Sequence, residues 1–306
     1  MIQARLRNFW NSWQSFWWFE VDPRSLKATR LALGLPIVGL YFLRFWRLDL
    51  YDERALVARE RALDLLEPSQ RPWFSWNFWP DSAAFAVHAV YWVLLVLFTL
   101  GWTRRPLMTL AWVLHVGFLH RNFAPSLGVD TMVTVFLFYL SFCEVWKSKG
   151  PFDALTPVMV RMCQVHLSII YFYTGLEKLR GGTWWEGSSL WTVFNNPQMT
   201  PYSLQWTYQI PSVLAVLAHL TVLFEIFFGV LVFNSRTRLW VLATGISFHL
   251  GIAVVLDLWW FSAVMLAPYF LFLRSEDWQA LMGVGIVQRV SKRLETRLRR
   301  KSSVSI

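Results

Sequence analysis

The sequence predicts an all-α integral membrane protein: a bundle of about eight transmembrane helices with an N-terminal interfacial helix and a basic C-terminal tail. Three observations predict it. Apolar residues make up 56% of the chain and charged residues only 16%, where a soluble domain carries roughly a quarter charged. The 20 tryptophans are more than one water-soluble core can hide, whereas lipid is an apolar solvent whose interface favours Trp. Finally, the apolar residues fall into separate runs near the roughly 20 residues that cross a hydrocarbon core.

Residues 1–25 form the interfacial segment. Phe9, Trp10, Trp13, Phe16 and Trp17 recur at helical spacing on one face, the pattern of a helix lying on a membrane. The start MIQARLRNFW lacks the apolar core and cleavage site of a secretory signal, so the first span is expected to direct insertion. Residues 26–273 are the transmembrane domain. Its apolar segments are 26–46, 83–101, 106–120, 129–145, 157–179, 211–233, 239–255 and 258–273. The last two are nearly continuous. Helix throughout would overshoot the bilayer, so a reversal near Asp257 is expected, one long bent helix being the alternative. Residues 274–306 are the tail, and eight basic against three acidic residues give it half of the net charge of +10.

Basic residues set the orientation. Arg5, Arg7, Arg24 and Lys27, then Arg104 and Arg105, Lys147 and Lys149, Arg236 and Arg238, and the tail all fall on one face if there are eight spans. Both termini are therefore expected in the cytoplasm of a bacterial inner membrane, with anionic lipid against the tail. Arg121, Lys178, Arg180 and the mixed-charge loop 47–82 fall on the opposite face. Cys143 and Cys163 form no disulfide framework and read as small core residues. No nucleic-acid module accompanies the basic charge, so no nucleic-acid partner is expected.

Ionisable groups inside spans are costly and become functional candidates by default. His88, His115, His166, His219, Glu225 and His249 lie in spans; His120, Arg121, Asp130, Glu177, Lys178 and Asp257 lie near outer ends. His88 and His115 read as hydrogen-bonding packing residues. No metal-ligand spacing occurs, so no metal is predicted. A carboxylate at Glu225 needs a partner or a proton. His249 has Gly245 one turn before it on the same face. His166, Tyr173 and Glu177 share one face of the fifth span, and Lys178 lies with Tyr171 and Thr174 on the neighbouring stripe. The densest polar run is 171–190, YFYTGLEKLRGGTWWEGSSL. Two readings of Lys178 stay open: it snorkels to the interface, or its Trp- and Gly-rich surroundings desolvate it into a general base.

The runs YFYTGLEKL at 171–179 and Trp185-Glu186-Gly187, with GPFDAL at 150–155 and the neighbourhood of Phe248-His249, resemble the vitamin K-dependent gamma-carboxylase family. Its bacterial members share the horizontally transferred transmembrane (HTTM) domain. The resemblance covers roughly residues 25–275 and is most specific around Lys178 and His249. It implies a gamma-glutamyl carboxylase-like activity. In that family, oxidation of reduced vitamin K to its epoxide drives addition of carbon dioxide to a glutamate of a protein substrate, with a Lys as base on the quinol. By resemblance the base is Lys178, His249 supports it, and the site faces the bacterial outside. Tyr171, Trp184, Trp185 and Glu225 are the expected cofactor-binding residues, the cofactor a vitamin K- or menaquinol-type quinol, and the partners lipid, quinone and a secreted or membrane protein substrate. The chain departs from the family in having the acid Glu177 before the Lys and no aligned His in the 120–130 stretch, and the family's large luminal domain is not expected in these residues. A non-catalytic quinone- or lipid-binding protein, or a transporter or structural subunit, are the alternatives.

Overall fold

The computed structural model describes residues 2–51, 59–69, 71–74, 78–121, 128–147, 149 and 151–283. Among them the chain is helical, with no strand. Each of the eight apolar segments carries a helix. Four helices are long and apolar enough to cross a membrane: Pro23–Asp49, Leu155–Arg180, Pro211–Val232 and Arg238–Leu256. Much of the basic tail, from residue 284 onward, and part of the stretch 120–130 lie outside the described residues.

Helix α1 (Ile2–Trp17) leads into α2 (Pro23–Leu43). Asp22 starts α2, its carboxylate accepting the Arg24 N–H at 2.8 Å, and Pro23 takes the first turn, where no N–H is needed. A 3₁₀ stretch (Arg44–Tyr51) and two short turns (Arg59–Asp64 and Arg71–Phe74) follow. Then come α3 (Ala84–Leu100), α4 (Arg105–Arg121), α5 (Gly128–Ser141) and α6 (Leu155–Arg180). Helix α3 ends at Gly101, whose φ of 81° favours glycine. The buried Arg30 guanidinium occupies the place where a Cβ would lie, a cation at a helix C-terminus.

The connection between α5 and α6 is tied by its own side chains. Asp153 accepts the Thr156 N–H at 3.0 Å and hydroxyl at 2.7 Å, and it pairs with Arg105; Glu144 accepts the Asp153 N–H at 2.9 Å. Asp153 thus caps α6. Partial burial works to raise its pKa, but hydrogen bonds from Thr156 and Arg105 outweigh that, and its carboxyl sits below the ordinary range.

Two short helices, α7 (Gly182–Trp185) and α8 (Ser189–Phe194), precede α9 (Pro211–Val232) and α10 (Arg238–Leu256). Helix α9 lies against α6, and Gly175 and Gly229 bring the two backbones close: a Cβ on Gly175 would meet Ile226, and one on Gly229 would meet Ser168 at 3.0 Å. Helix α10 stops at Leu256, and Asp257 takes a left-handed conformation, φ 55°. The chain then doubles back into α11 (Trp259–Leu266) and a 3₁₀ stretch (Ala267–Phe272). His249 and Phe261 are 6.1 Å apart between ring centroids. Twelve residues of continuous helix would separate them by about 18 Å, so the reversal expected at Asp257 is present. A separate unit, 273–306, contains α12 (Ser275–Leu281), capped by Asp277, which accepts the Arg274 N–H at 2.8 Å.

Candidate functional site

Tyr171, Thr174, Gly175 and Lys178 recur every three or four residues on the face of α6 that meets α9. Lys178 is in the last turn of α6. Its ammonium lies 2.8 Å from both oxygens of Glu225 on α9. The lysine side chain is 22% exposed and the glutamate 4%, so the pair opens on the lysine side. The Trp184 ring covers it, 5.3 Å from the Lys178 nitrogen to the ring centroid, a cation–π distance.

Helix α7 carries Trp184 there and is fastened at several points. Gly181 N–H donates to the Lys178 carbonyl at 3.0 Å and Trp185 Nε1 to the Leu179 carbonyl at 2.6 Å. His219 Nε2 is 3.1 Å from the Trp185 carbonyl. Gly187, at φ 75°, closes the segment against Ala215. The acid beside Lys178 in sequence is not its partner: Glu177 pairs with Arg180 at 2.7 Å on the exposed surface.

One helical turn before Thr174, the Tyr171 hydroxyl lies 2.6 Å from His249 Nε2 and 2.7 Å from the Tyr269 hydroxyl. Three elements meet there: α6, α10 and the 3₁₀ stretch 267–272. Gly245 makes the meeting feasible, because a Cβ there would overlap the Tyr269 hydroxyl. Phe228 packs on Tyr171 at 4.3 Å and Phe224 at 5.5 Å between ring centroids. His249 is 1% exposed and its Nδ1 has no hydrogen-bond partner among the described residues.

Five of the six site residues expected from sequence thus fall in two adjoining groups: Lys178, Glu225 and Trp184, and Tyr171 with His249. Trp185 is 64% exposed and turned to the Leu179 carbonyl. Tyr269 was not among the expected residues; its only sequence trace is the glycine at 245 that leaves room for it. His166 bonds Tyr139 at 2.9 Å, and the stripe it shares with Tyr173 and Glu177 does not face the site.

The other half of the bundle holds a second buried polar group. Arg44 donates to both oxygens of Asp130, at 2.6 and 2.9 Å, and the Tyr41 hydroxyl donates to Asp130 at 2.6 Å. His115 Nε2 lies 3.0 Å from the Asp130 carbonyl, which fixes the proton on that nitrogen and leaves Nδ1 to accept, with the Tyr91 hydroxyl 3.0 Å away. His88 Nε2 bonds the Tyr41 carbonyl at 2.8 Å. A bidentate arginine and a fully engaged His115 make this a lock between α2, α3, α4 and α5. No cluster of three or more His, Cys, Asp or Glu suited to a metal occurs among the described residues.

A helical membrane protein with a buried carboxylate–lysine pair under a tryptophan is what the fold and site define. The HTTM domain model matches residues 20–278, and the chain belongs to the HTTM domain family. No curated protein and no solved structure matches it significantly.

Proposed function

We propose that this chain is a quinol-handling membrane enzyme resembling the gamma-carboxylases, with Lys178 as the base. The observation that carries the reading is the Lys178–Glu225 pair. A lysine serves as a base only if it can give up its proton. Glu225 supplies a receiver 2.8 Å away, and in low-dielectric surroundings an ammonium–carboxylate pair and its neutral amine–carboxylic acid form come closer in energy than in water. Trp184 limits water at the nitrogen, while its partial exposure leaves a way in for a substrate.

One observation supports a quinol as the bound group. His249 offers a buried ring nitrogen with no hydrogen-bond partner among the described residues, and Tyr171, Phe224, Phe248 and Phe261 supply aromatic faces near it. A bound quinol supplies an acidic hydroxyl and reducing equivalents. In this reading Lys178 would hand its own proton to Glu225 and, as the free amine, take up the hydroxyl proton at Nζ. His249, its Nε2 held by Tyr171, would offer Nδ1 to the bound group. Thr174 and Tyr171 keep the α6 stripe in register with α9.

The reading includes eight crossings, with Lys178 on the outer face and both termini in the cytoplasm of a bacterial inner membrane. Tryptophan placement supports it. Trp46, Trp102, Trp185, Trp206, Trp240 and Trp259 are exposed at or near helix ends, and eight crossings would put Trp102 and Trp240 at one interface and the other four at the opposite one. Helix α10, between Trp240 and Trp259, is about 28 Å long, close to the ~30 Å of a hydrocarbon core.

Membranes containing the protein, given a reduced naphthoquinone, oxygen and labelled bicarbonate, are expected to yield quinone epoxide and fixed label, both lost in Lys178→Ala. Quinone that co-purifies and binds without either product overturns the enzyme. It favours a non-catalytic quinone-binding protein, for which the ion pair that holds Lys178 as an ammonium is the supporting observation. No quinone bound in any preparation removes both.

A further inference from the structure

Helix α1 is exposed all round as far as residue 15, and its large apolar side chains gather on one face. Leu6, Phe9, Trp10 and Trp13 recur along it at three- and four-residue steps and are 45% to 65% exposed. The same stripe continues into Phe16 and Trp17, and there it is half-buried. Phe16 packs on Phe233 of the α9–α10 turn, 5.8 Å between ring centroids. The guanidinium of Arg161, in the second turn of α6, lies over Phe16 at 4.5 Å, Phe19 at 4.0 Å and Phe233 at 5.2 Å. Its Nε donates to the Phe16 carbonyl at 2.7 Å, one of the carbonyls left without a helical partner where α1 ends. Its Nη1 donates to Gln164 at 2.7 Å, and the Gln164 amide donates to the Leu271 carbonyl at 2.7 Å. Arg161 is therefore a clip between the end of α1, the start of α6 and the 3₁₀ stretch 267–272.

The charges flanking the uncovered stripe are all of one sign. Arg5 and Arg7 lie on either side of it, and the first acid in the chain is Glu20. We propose that the Leu6–Phe9–Trp10–Trp13 face docks on an anionic lipid leaflet, as a surface anchor clipped to the start of α6. Indole and phenyl rings favour the boundary between headgroups and acyl chains, and flanking arginines reach the phosphates while their stems stay apolar. A second copy of α1 does not fit this face, because it would set Arg5 and Arg7 against their own kind with no acid to meet them. Arg161 makes the anchor part of the fold: it is 6% exposed, and lifting α1 would uncover a guanidinium in apolar surroundings. The anchor marks the leaflet on which α6 begins, and it does not depend on any chemistry at Lys178.

The test uses the full chain in vesicles, with a nitroxide at Phe9→Cys or Trp13→Cys and, on the opposite face, at Asn11→Cys or Ser15→Cys. Cys143 and Cys163 are each 1% exposed and stay unlabelled. In vesicles containing phosphatidylglycerol, positions 9 and 13 are expected to collide with oxygen and be several-fold less open to an aqueous nickel chelate than positions 11 and 15. In vesicles of phosphatidylcholine alone that contrast is expected to shrink. Nickel access as high at 9 and 13 as at 11 and 15 overturns the docking, and a contrast indifferent to phosphatidylglycerol overturns the anionic partner.

Discussion

Lys178 and Glu225 are not equal members of their pair, and the inequality can be measured. Removing one partner of a buried ion pair costs up to about 3–5 kcal/mol, because the other charge is left in an apolar place. Lys178 retains a path to the surface and can re-solvate its ammonium when Glu225 is neutralised. Glu225, at 4% exposed, cannot move out and must take up a proton. Lys178→Met is therefore expected to lower thermal stability more than Glu225→Gln, with the double variant above Lys178→Met alone; equal losses would refute the asymmetry. Gly245→Ala gives a second residue-scale prediction. The new methyl overlaps the Tyr269 hydroxyl, overpacking that costs about 1–3 kcal/mol and forces Tyr269 from Tyr171. A lower melting temperature with loss of quinone binding is expected, and Gly251→Ala, in the interior of α10 with nothing within 4 Å, is the control that keeps quinone binding and does not lower the melting temperature. Much of this site was legible in the chain, since costly residue types such as Lys178, Glu225 and His249 announce themselves in apolar runs. Their pairing was not. Sequence set Glu177 beside Lys178, yet consecutive helical positions point about 100° apart, and the carboxylate that meets the ammonium comes from 47 residues on. Tyr269 stayed hidden for the opposite reason, an aromatic among aromatics with no periodic signal of its own.

At the scale of elements, α7 is the piece most dependent on a single backbone conformation. Gly187 at φ 75° returns the chain toward α9, and a side chain there is strained by its backbone and meets Ala215. Gly187→Ala is expected to shift α7 and lift Trp184 from Lys178. Amine-directed labelling of Lys178, followed by peptide mass spectrometry, should then rise; unchanged labelling would show that α7 does not govern access. The α5–α6 connection makes a pH prediction. Asp153 is held below its ordinary pKa, so its contribution is fully present above about pH 4 and falls away as the pH drops through the lowered value. Wild type is expected to melt above Asp153→Asn from neutral pH down to that range, with the gap closing in stronger acid. A gap constant into strong acid would mean that the charge is not the source. Helical periodicity identified the two polar stripes of α6, 166–173–177 and 171–174–178, but not which of them would meet α9. Gly175 and Gly229 decide that, by allowing close approach on one side only.

For the whole molecule, the membrane class was written in composition, and each apolar run carries a helix, because lipid leaves every backbone group to be satisfied within its own segment. The number of crossings is a harder quantity. Helices of 17 and 14 residues, such as α3 and α5, span about 26 and 21 Å, short of ~30 Å, and need tilt, flanking turns or shielding by neighbours to complete a passage. Hydropathy cannot report such shielding, since it belongs to packing. Labelling sidedness can decide the count. Ser188 and Ser235 bracket α9, Ser235 and Asp257 bracket α10, and Asp257 and Ser275 bracket α11 with its 3₁₀ extension. Single cysteines at these four positions, treated with a membrane-impermeant maleimide in sealed right-side-out vesicles, are expected to label at 188 and 257 and to stay protected at 235 and 275 until the vesicles are opened. Protection at 275 tests the α11 crossing by itself, because α11 has only eight α-helical residues before the 3₁₀ stretch takes over. If 257 and 275 label from the same side, the pair enters and leaves the membrane on one face. The basic tail would then lie with Lys178, and the orientation drawn from the arginines and lysines would have to be abandoned.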